Sequence, residues 1–234
     1  MSAVFWWVVF PYITLTILIV GLLYRFTYKQ KKWTAPSTEI FEKKWLRIGS
    51  PLFHWGIVFA FIGHVMGIIL PIGFYEALGI TDEMYHFGGI AGGGLAGLMV
   101  VVGLVILMIR KLTSPRVRSH AGFGDYFAVA MVLVVSVLGA YMTIVYNTTV
   151  VEYEYRTTIG PWFRSLFYLQ PKYGLMMEVP RLFQVHVIAA FLLFASIPFT
   201  MLVHIFSFPV RYPTRAPIQY RSRIGYRRQP QQDK

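Results

Sequence analysis

The chain contains no cysteine, and that absence excludes several chemistries together. It can form no disulfide within itself, hold no cysteine-ligated iron–sulfur cluster and attach no haem through thioether bonds. Any redox centre held by this chain must use histidine or methionine. Acidic residues are also scarce, 10 Asp and Glu against 22 Lys and Arg. The resulting charge of +12 raises nucleic acid as a partner, but the placement of the basic residues argues against it. No Lys or Arg precedes Arg25, and residues 71–87 carry none. The basic residues gather instead in 25–50, in 110–118 (Arg110, Lys111, Arg116, Arg118) and in the tail from Arg211.

What fills the chain is apolar length. Hydrophobic residues make up 56% of it, aromatics 17%, and the mean hydropathy is +0.55, values of an integral membrane protein rather than a soluble domain. Stretches reaching the roughly 20 residues that cross a bilayer occur at about 4–24, 51–70, 88–109, 124–146 and 182–207. The expected fold is an all-α integral membrane protein of five transmembrane helices, one domain over 1–209, with a basic tail at 210–234. Alternating basic loops put the N-terminus outside and the C-terminus in the cytoplasm. The segment 147–181, with Arg156, Arg164 and Lys172, is expected outside because long loops translocate with little regard to charge. It is rich in aromatics, and a short amphipathic helix is expected at 160–169. The first span lacks a basic n-region and a small-residue cleavage site, so it is expected to be retained as a helix.

Four histidines stand in two of these runs: His54 and His64 in PLFHWGIVFAFIGHVMGIILP, His186 and His204 in RLFQVHVIAAFLLFASIPFTMLVHIF. Ionisable residues at membrane depth read as functional sites, although a single such histidine is more often a helix–helix hydrogen-bond partner. Four in matched pairs argue against that bland reading. Span 2 runs outward and span 5 inward, so His64 pairs with His186 near the outer face and His54 with His204 near the inner face. His186 and His204 are eighteen residues apart, five turns on one face, and His54 and His64 ten apart, within roughly 80° of one another. The two rises, roughly 27 Å and roughly 15 Å, differ, so tilt, imperfect depth matching or a kink at Pro198 must absorb the difference. Zinc or copper gathers its ligands around one point, whereas two depths and opposed pairs suit axial ligation of haem.

The remaining candidates are less specific. Gly63 and Gly67 flank His64, and Gly88, Gly89, Gly92, Gly93, Gly94 and Gly97 open span 3. Such stripes allow close helix packing or the approach of a flat ring, and the sequence does not separate the two. The outer loop carries Glu76, Asp82, Glu83 and His86, solvated residues that also stand nearest to take protons from a quinol. Arg116 and Arg118 in S-P-R-V-R fit the positive-inside pattern and could also pair with haem propionates. The loop 25–50 has the character of a lipid-facing or partner-facing surface. Span 4 reads as scaffold, and His120 as a loop residue rather than a ligand.

The stretches LFHWGIVFAFIGHVMG, FYEA, SPRVR and LVHIFSFPVRY, with the histidine spacings of ten and eighteen, resemble the gamma or cytochrome b subunit of membrane-bound respiratory nitrate reductase over nearly the whole chain. The resemblance implies two haem b groups, His64 and His186 holding the distal one and His54 and His204 the proximal one. It implies quinol oxidation, with menaquinol or ubiquinol, around Gly63, His64 and Gly67. Electrons then pass to an iron–sulfur beta subunit and a molybdenum alpha subunit on the cytoplasmic side of a bacterial or archaeal cytoplasmic membrane. One departure stands out: the family's outer-loop lysine aligns, without gaps, on Met84, so His86 or Glu83 is expected to take over the polar contact. Two alternatives remain open at this point. One is a di-haem b subunit of another quinone-linked oxidoreductase, of hydrogenase or sulfur-cycle type; the other is a non-redox transporter or scaffold.

Overall fold

Long apolar runs with few breakers become long helices, because a helix satisfies every backbone polar group within its own segment. The computed structural model describes residues 3–29, 33, 38–150 and 153–207; the expected basic tail and Lys31 and Lys32 lie outside these. Among the described residues five helices are long and apolar enough to cross a membrane, Phe5–Tyr28, Lys44–Ile69, Asp82–Thr113, Phe123–Thr149 and Arg181–Phe199, and there is no strand. The first joins a π-helical turn, Phe5–Val9, to α1 (Phe10–Tyr28). The second is α2 (Lys44–His64) and a π-helical turn, Val65–Ile69. After the short α3 (Ile72–Ala77) comes α4 (Asp82–Thr113), then α5 (Pro115–His120). The fourth span is α6 (Phe123–Tyr141), a π-helical turn and α7 (Asn147–Thr149). The short α8 (Ile159–Phe167) precedes the last, α9 (Arg181–Ser196).

Two expectations need correction. Residues 82–87, expected as loop, are the first turns of α4. Thr81 caps the helix by accepting the Met84 N–H at 3.3 Å, and Asp82 and Glu83 in the first turn oppose Arg110 and Lys111 in the last, the arrangement a helix dipole favours. Gly79, at φ +71°, supplies the left-handed turn that lets α4 start there. The last span is not one kinked helix over 182–207. It ends at Ser196 and continues as two 3-10 turns, Ile197–Phe199 and Met201–Phe206, joined by an extended Thr200 (φ −117°, ψ 179°). Pro198 has no N–H to continue the ladder, and Arg25 of α1 donates from Nη1 to the carbonyls of Pro198 (2.7 Å) and Thr200 (2.8 Å). A guanidinium thus occupies carbonyl groups that the broken helix leaves without helical partners.

Small residues set the closest packing. A methyl at Gly103 of α4 would lie 2.6 Å from the Phe53 backbone nitrogen of α2, and one at Gly56 2.8 Å from that of Val100, so the two backbones touch. The expected amphipathic helix at 160–169 is α8, ended by Leu169 in a left-handed conformation (φ 56°). It docks through Trp162, fully buried, whose Nε1 donates to the Trp7 carbonyl at 3.0 Å. Arg164 Nη1 donates to the carbonyl of Ile68 at 2.7 Å and so caps the end of the second span. The buried side chains form two clusters. One is around Trp7, Trp162, Met176, Phe183 and Phe191, the other around Val100, Leu104, Ala128, Val132 and Leu202.

Candidate functional site: two histidine pairs

The four histidines come together two by two, as their topology predicts. The rings of His64 and His186 lie 6.3 Å apart, centroid to centroid, at 21° to one another. Those of His54 and His204 lie 6.4 Å apart at 57°. The broken last span reconciles the unequal spacings. Ten residues of α9, from His186 to Ser196, cover the same roughly 15 Å as the ten from His54 to His64. The remaining eight residues leave that straight line at Pro198 and bring His204 beside His54.

These separations leave no direct hydrogen bond within either pair and have the length that a shared ligand would need. A ring nitrogen sits about 1.1 Å from its own centroid, so nitrogens across either pair approach no closer than roughly 4 Å, beyond hydrogen-bond reach. Two metal–imidazole bonds of about 2 Å each span that same gap. The rings are also held in the tautomer that a ligand requires. His64 Nδ1 bonds the Ala60 carbonyl at 2.7 Å, His54 Nδ1 that of Ser50 at 2.7 Å and His204 Nδ1 that of Met201 at 2.6 Å. An Nδ1–H donated to a carbonyl leaves the Nε2 lone pair for a metal. His186 differs: its Nδ1 is buried with no hydrogen bond of normal geometry. Its ring instead rests on Gly139, where a methyl would come within 3.2 Å of Cε1. Span 4, read from sequence as scaffold, therefore seats the His186 ring. Among the described residues no three His, Asp or Glu side chains gather as a metal-ion site. The histidines occur in opposed twos, the donor set of a planar macrocycle with two axial ligands.

The glycines beside His64 separate. A methyl at Gly63 meets nothing within 4 Å, nor does one at Gly88, Gly89 or Gly92 of α4. Gly67 is closed: its methyl would strike Tyr155 at 2.7 Å and the Tyr85 hydroxyl at 3.0 Å. These tyrosines bond to one another, Oη to Oη, at 3.1 Å, and the Tyr75 hydroxyl donates to the Met66 carbonyl at 2.6 Å. His86 lies in a cluster that the sequence did not foretell. Its Nε2 is 3.0 Å from Glu154 Oε2. Arg156, 3% exposed, donates to both Glu154 oxygens (2.8 and 2.6 Å) and to Asp82 (2.8 Å), with its guanidinium over the Tyr85 ring. Burial alone would raise the Glu154 carboxyl, but hydrogen bonds from Arg156 outweigh it and hold the group below the usual carboxylate range. The same bonds raise Arg156, and burial raises Tyr155. Glu83 and Met84 are exposed on the first turn of α4 and stand outside this cluster.

At the other end of the bundle Arg116 and Arg118 are exposed on α5, and His120 stacks on Phe41 at 4.3 Å. The buried cation there is Arg110, which the sequence showed only as one of the basic residues after span 3. It donates to Glu42 Oε2 (2.7 Å), Thr38 Oγ1 (2.9 Å) and the carbonyls of Thr38 and Glu42. Burial would raise Glu42, but its bonds to the Trp45 backbone and to Arg110 bring it below the ordinary range. The sequence held no signal that either arginine would be buried: Arg110 adjoins Lys111 at a span end and Arg156 stands in a long loop.

Comparison with known proteins adds an independent line. The nitrate reductase gamma subunit family matches residues 3–223. The nitrate reductase gamma chain of Bacillus subtilis is 43% identical over 223 residues, covering 95% of this chain and 100% of that one. The respiratory nitrate reductase 1 gamma chain of Escherichia coli is 30% identical over 215 residues, 90% of this chain and 93% of that one. A nitrate reductase-like protein, NarX, of Mycobacterium tuberculosis is 38% identical over 224 residues, 95% of this chain but 34% of that longer protein.

Proposed function

The chain belongs to the nitrate reductase gamma subunit family, and from that premise we propose that it oxidises quinol near the outer membrane face and conducts electrons inward. His64 and His186 would hold one haem b, His54 and His204 a second. The observation that carries this reading is the pair of centroid separations, 6.3 and 6.4 Å, each the span of one axially ligated metal. A haem so held supplies reversible one-electron transfer, and two of them roughly 15 Å apart along α2 form a path across the bilayer.

The chain's own residues do the rest. Ser50, Ala60 and Met201 carbonyls fix three imidazoles, Gly139 makes room for the fourth, and Arg25 holds the segment that delivers His204. Arg116 and Arg118, at the basic end, would meet haem propionates. Quinol, menaquinol or ubiquinol, would lie by Gly63 and His64, where the helix surface is bare, bounded by the tyrosines that cover Gly67 and with His86 beyond them, while Glu83, exposed on the first turn of α4, stands apart. The alternating charge supports an outside N-terminus and a cytoplasmic basic tail. The iron–sulfur beta and molybdenum alpha subunits would then meet the Thr38–Glu42 segment that Arg110 fixes. This chain alone reduces no nitrate.

The test is to add menadiol to the isolated complex anaerobically and follow the haem absorbance. The reading predicts reduction of the haem by menadiol and its reoxidation by nitrate. A complex reduced fully by dithionite but untouched by menadiol would refute quinol oxidation by this subunit.

A further inference from the structure

Oxidation of a hydroquinone breaks two O–H bonds, and the two protons need an acceptor within hydrogen-bond reach or one water away. The two electrons would leave singly to the haem that His64 and His186 would hold, leaving quinone. The bare surface at Gly63 ends, one turn further out, at the Tyr85–Tyr155 hydroxyl pair over Gly67. The sequence neighbours of these tyrosines, His86 and Glu154, are themselves paired at 3.0 Å. The cluster grades from buried to wet: Arg156 side-chain exposure is 2%, His86 19%, Glu154 30% and Asp82 76%. It therefore joins the surface beside His64 to solvent.

We propose that the His86–Glu154 pair is the proton acceptor of quinol oxidation, with Tyr85 and Tyr155 facing the quinol and Arg156 positioning the carboxylate. This rests on the quinol-oxidising reading above. Each proton passes from the quinol hydroxyl past the tyrosine hydroxyls, across one water, to the imidazole–carboxylate pair, and leaves past Asp82 before the second follows. Among the described residues the charged and titratable groups around the pair include Asp82, Tyr85 and Tyr75 from the α3–α4 side and Tyr153, Tyr155 and Arg156 from its own segment. Glu154 and Asp82 set two carboxylates against the one guanidinium of Arg156, a balance that favours taking up a proton at the pair. Arg156 fixes both Glu154 oxygens and so keeps one of them on His86.

The test uses the whole complex carrying His86→Gln, Glu154→Gln or Arg156→Lys. It measures menadiol-driven haem reduction from pH 5.5 to 8.5, haem content, reduction by dithionite and menadione binding by fluorescence quenching. General bases contribute about a hundredfold or more. The expected result is at least a tenfold slower reduction by menadiol in His86→Gln and Glu154→Gln, with menadione affinity within twofold and haem content unchanged. The limb on which the wild-type rate falls with acidity should shift in all three variants, a change that a merely structural role of Arg156 would not produce. Wild-type rates and an unmoved limb in His86→Gln overturn the proposal, and this variant decides even where Glu154→Gln loses haem, because it leaves Arg156 its bonds to Glu154 and Asp82. A wild-type complex that menadiol does not reduce at all would instead refute quinol oxidation itself.

Discussion

Arg156 shows what a single residue contributes at the end of the bundle that holds His64 and His186. Its guanidinium is buried and its charge is matched by Glu154 and Asp82. Removing the guanidinium leaves the half-buried Glu154 without its charge partner, a cost below the roughly 3–5 kcal/mol of a fully buried pair because Glu154 is 30% and Asp82 76% exposed. Arg156→Met is therefore expected to lower the thermal unfolding midpoint of the detergent-solubilised protein, whereas Arg116→Met on exposed α5 should leave it nearly unchanged. The carboxylates carry a pH dependence of known sign. Glu154 and Glu42 are depressed in the fold, so their contribution is complete above the unfolded value of about 4.3. It is lost as pH falls through the lower folded value. Unfolding midpoints should hold from pH 7 to about 5 and drop below about 4, and a midpoint rising on acidification would contradict the assignment. His54, His64, His186 and His204 were legible in the sequence because an imidazole in an apolar run is costly to keep unless it binds something. Arg156 and Arg110 were not, since Arg110 fits the positive-inside pattern at a span end and Arg156 stands in a long loop that tolerates charge, each whether buried or wet; only contacts with Glu42 and Glu154 reveal the burial.

The last span is the element on which the arrangement turns. Pro198 announced a kink, but the sequence could not show that the helix would stop, because the groups that satisfy its open carbonyls come from Arg25, more than 170 residues away in sequence. Arg25→Met removes two charge-assisted hydrogen bonds, each of about 1.5–3 kcal/mol, and frees the segment that carries His204. The spectrum of the haem at that end should broaden or be lost, while that at His64 and His186 persists; an unaltered spectrum would contradict the role given to Arg25. The α2–α4 contact offers a second check. Gly103→Ala places a methyl 2.6 Å from the Phe53 backbone nitrogen, a neighbour that cannot swing away, so the yield of folded, haem-loaded protein should fall. Gly92→Ala, which meets nothing within 4 Å, should fold normally. Both glycines look alike in the sequence, which records small size but not the neighbour.

On the scale of the whole molecule the chain is a bundle with two unlike ends. One holds His64, His186 and the acidic cluster, the other His54, His204 and most of the described basic residues. The five spans and the pairing of histidines followed from hydropathy and topology. The reconciliation of the ten- and eighteen-residue spacings did not, since it depends on a break whose geometry only packing fixes. The central claim is that each histidine pair holds one haem. The direct measurement is the dithionite-reduced minus oxidised spectrum with pyridine-haemochrome quantification, for the wild type, His64→Ala and His204→Ala. Two b-type haems per chain, one lost in each variant and the other retained, is the result predicted. A wild-type chain with no haem, or variants that keep both, would contradict it.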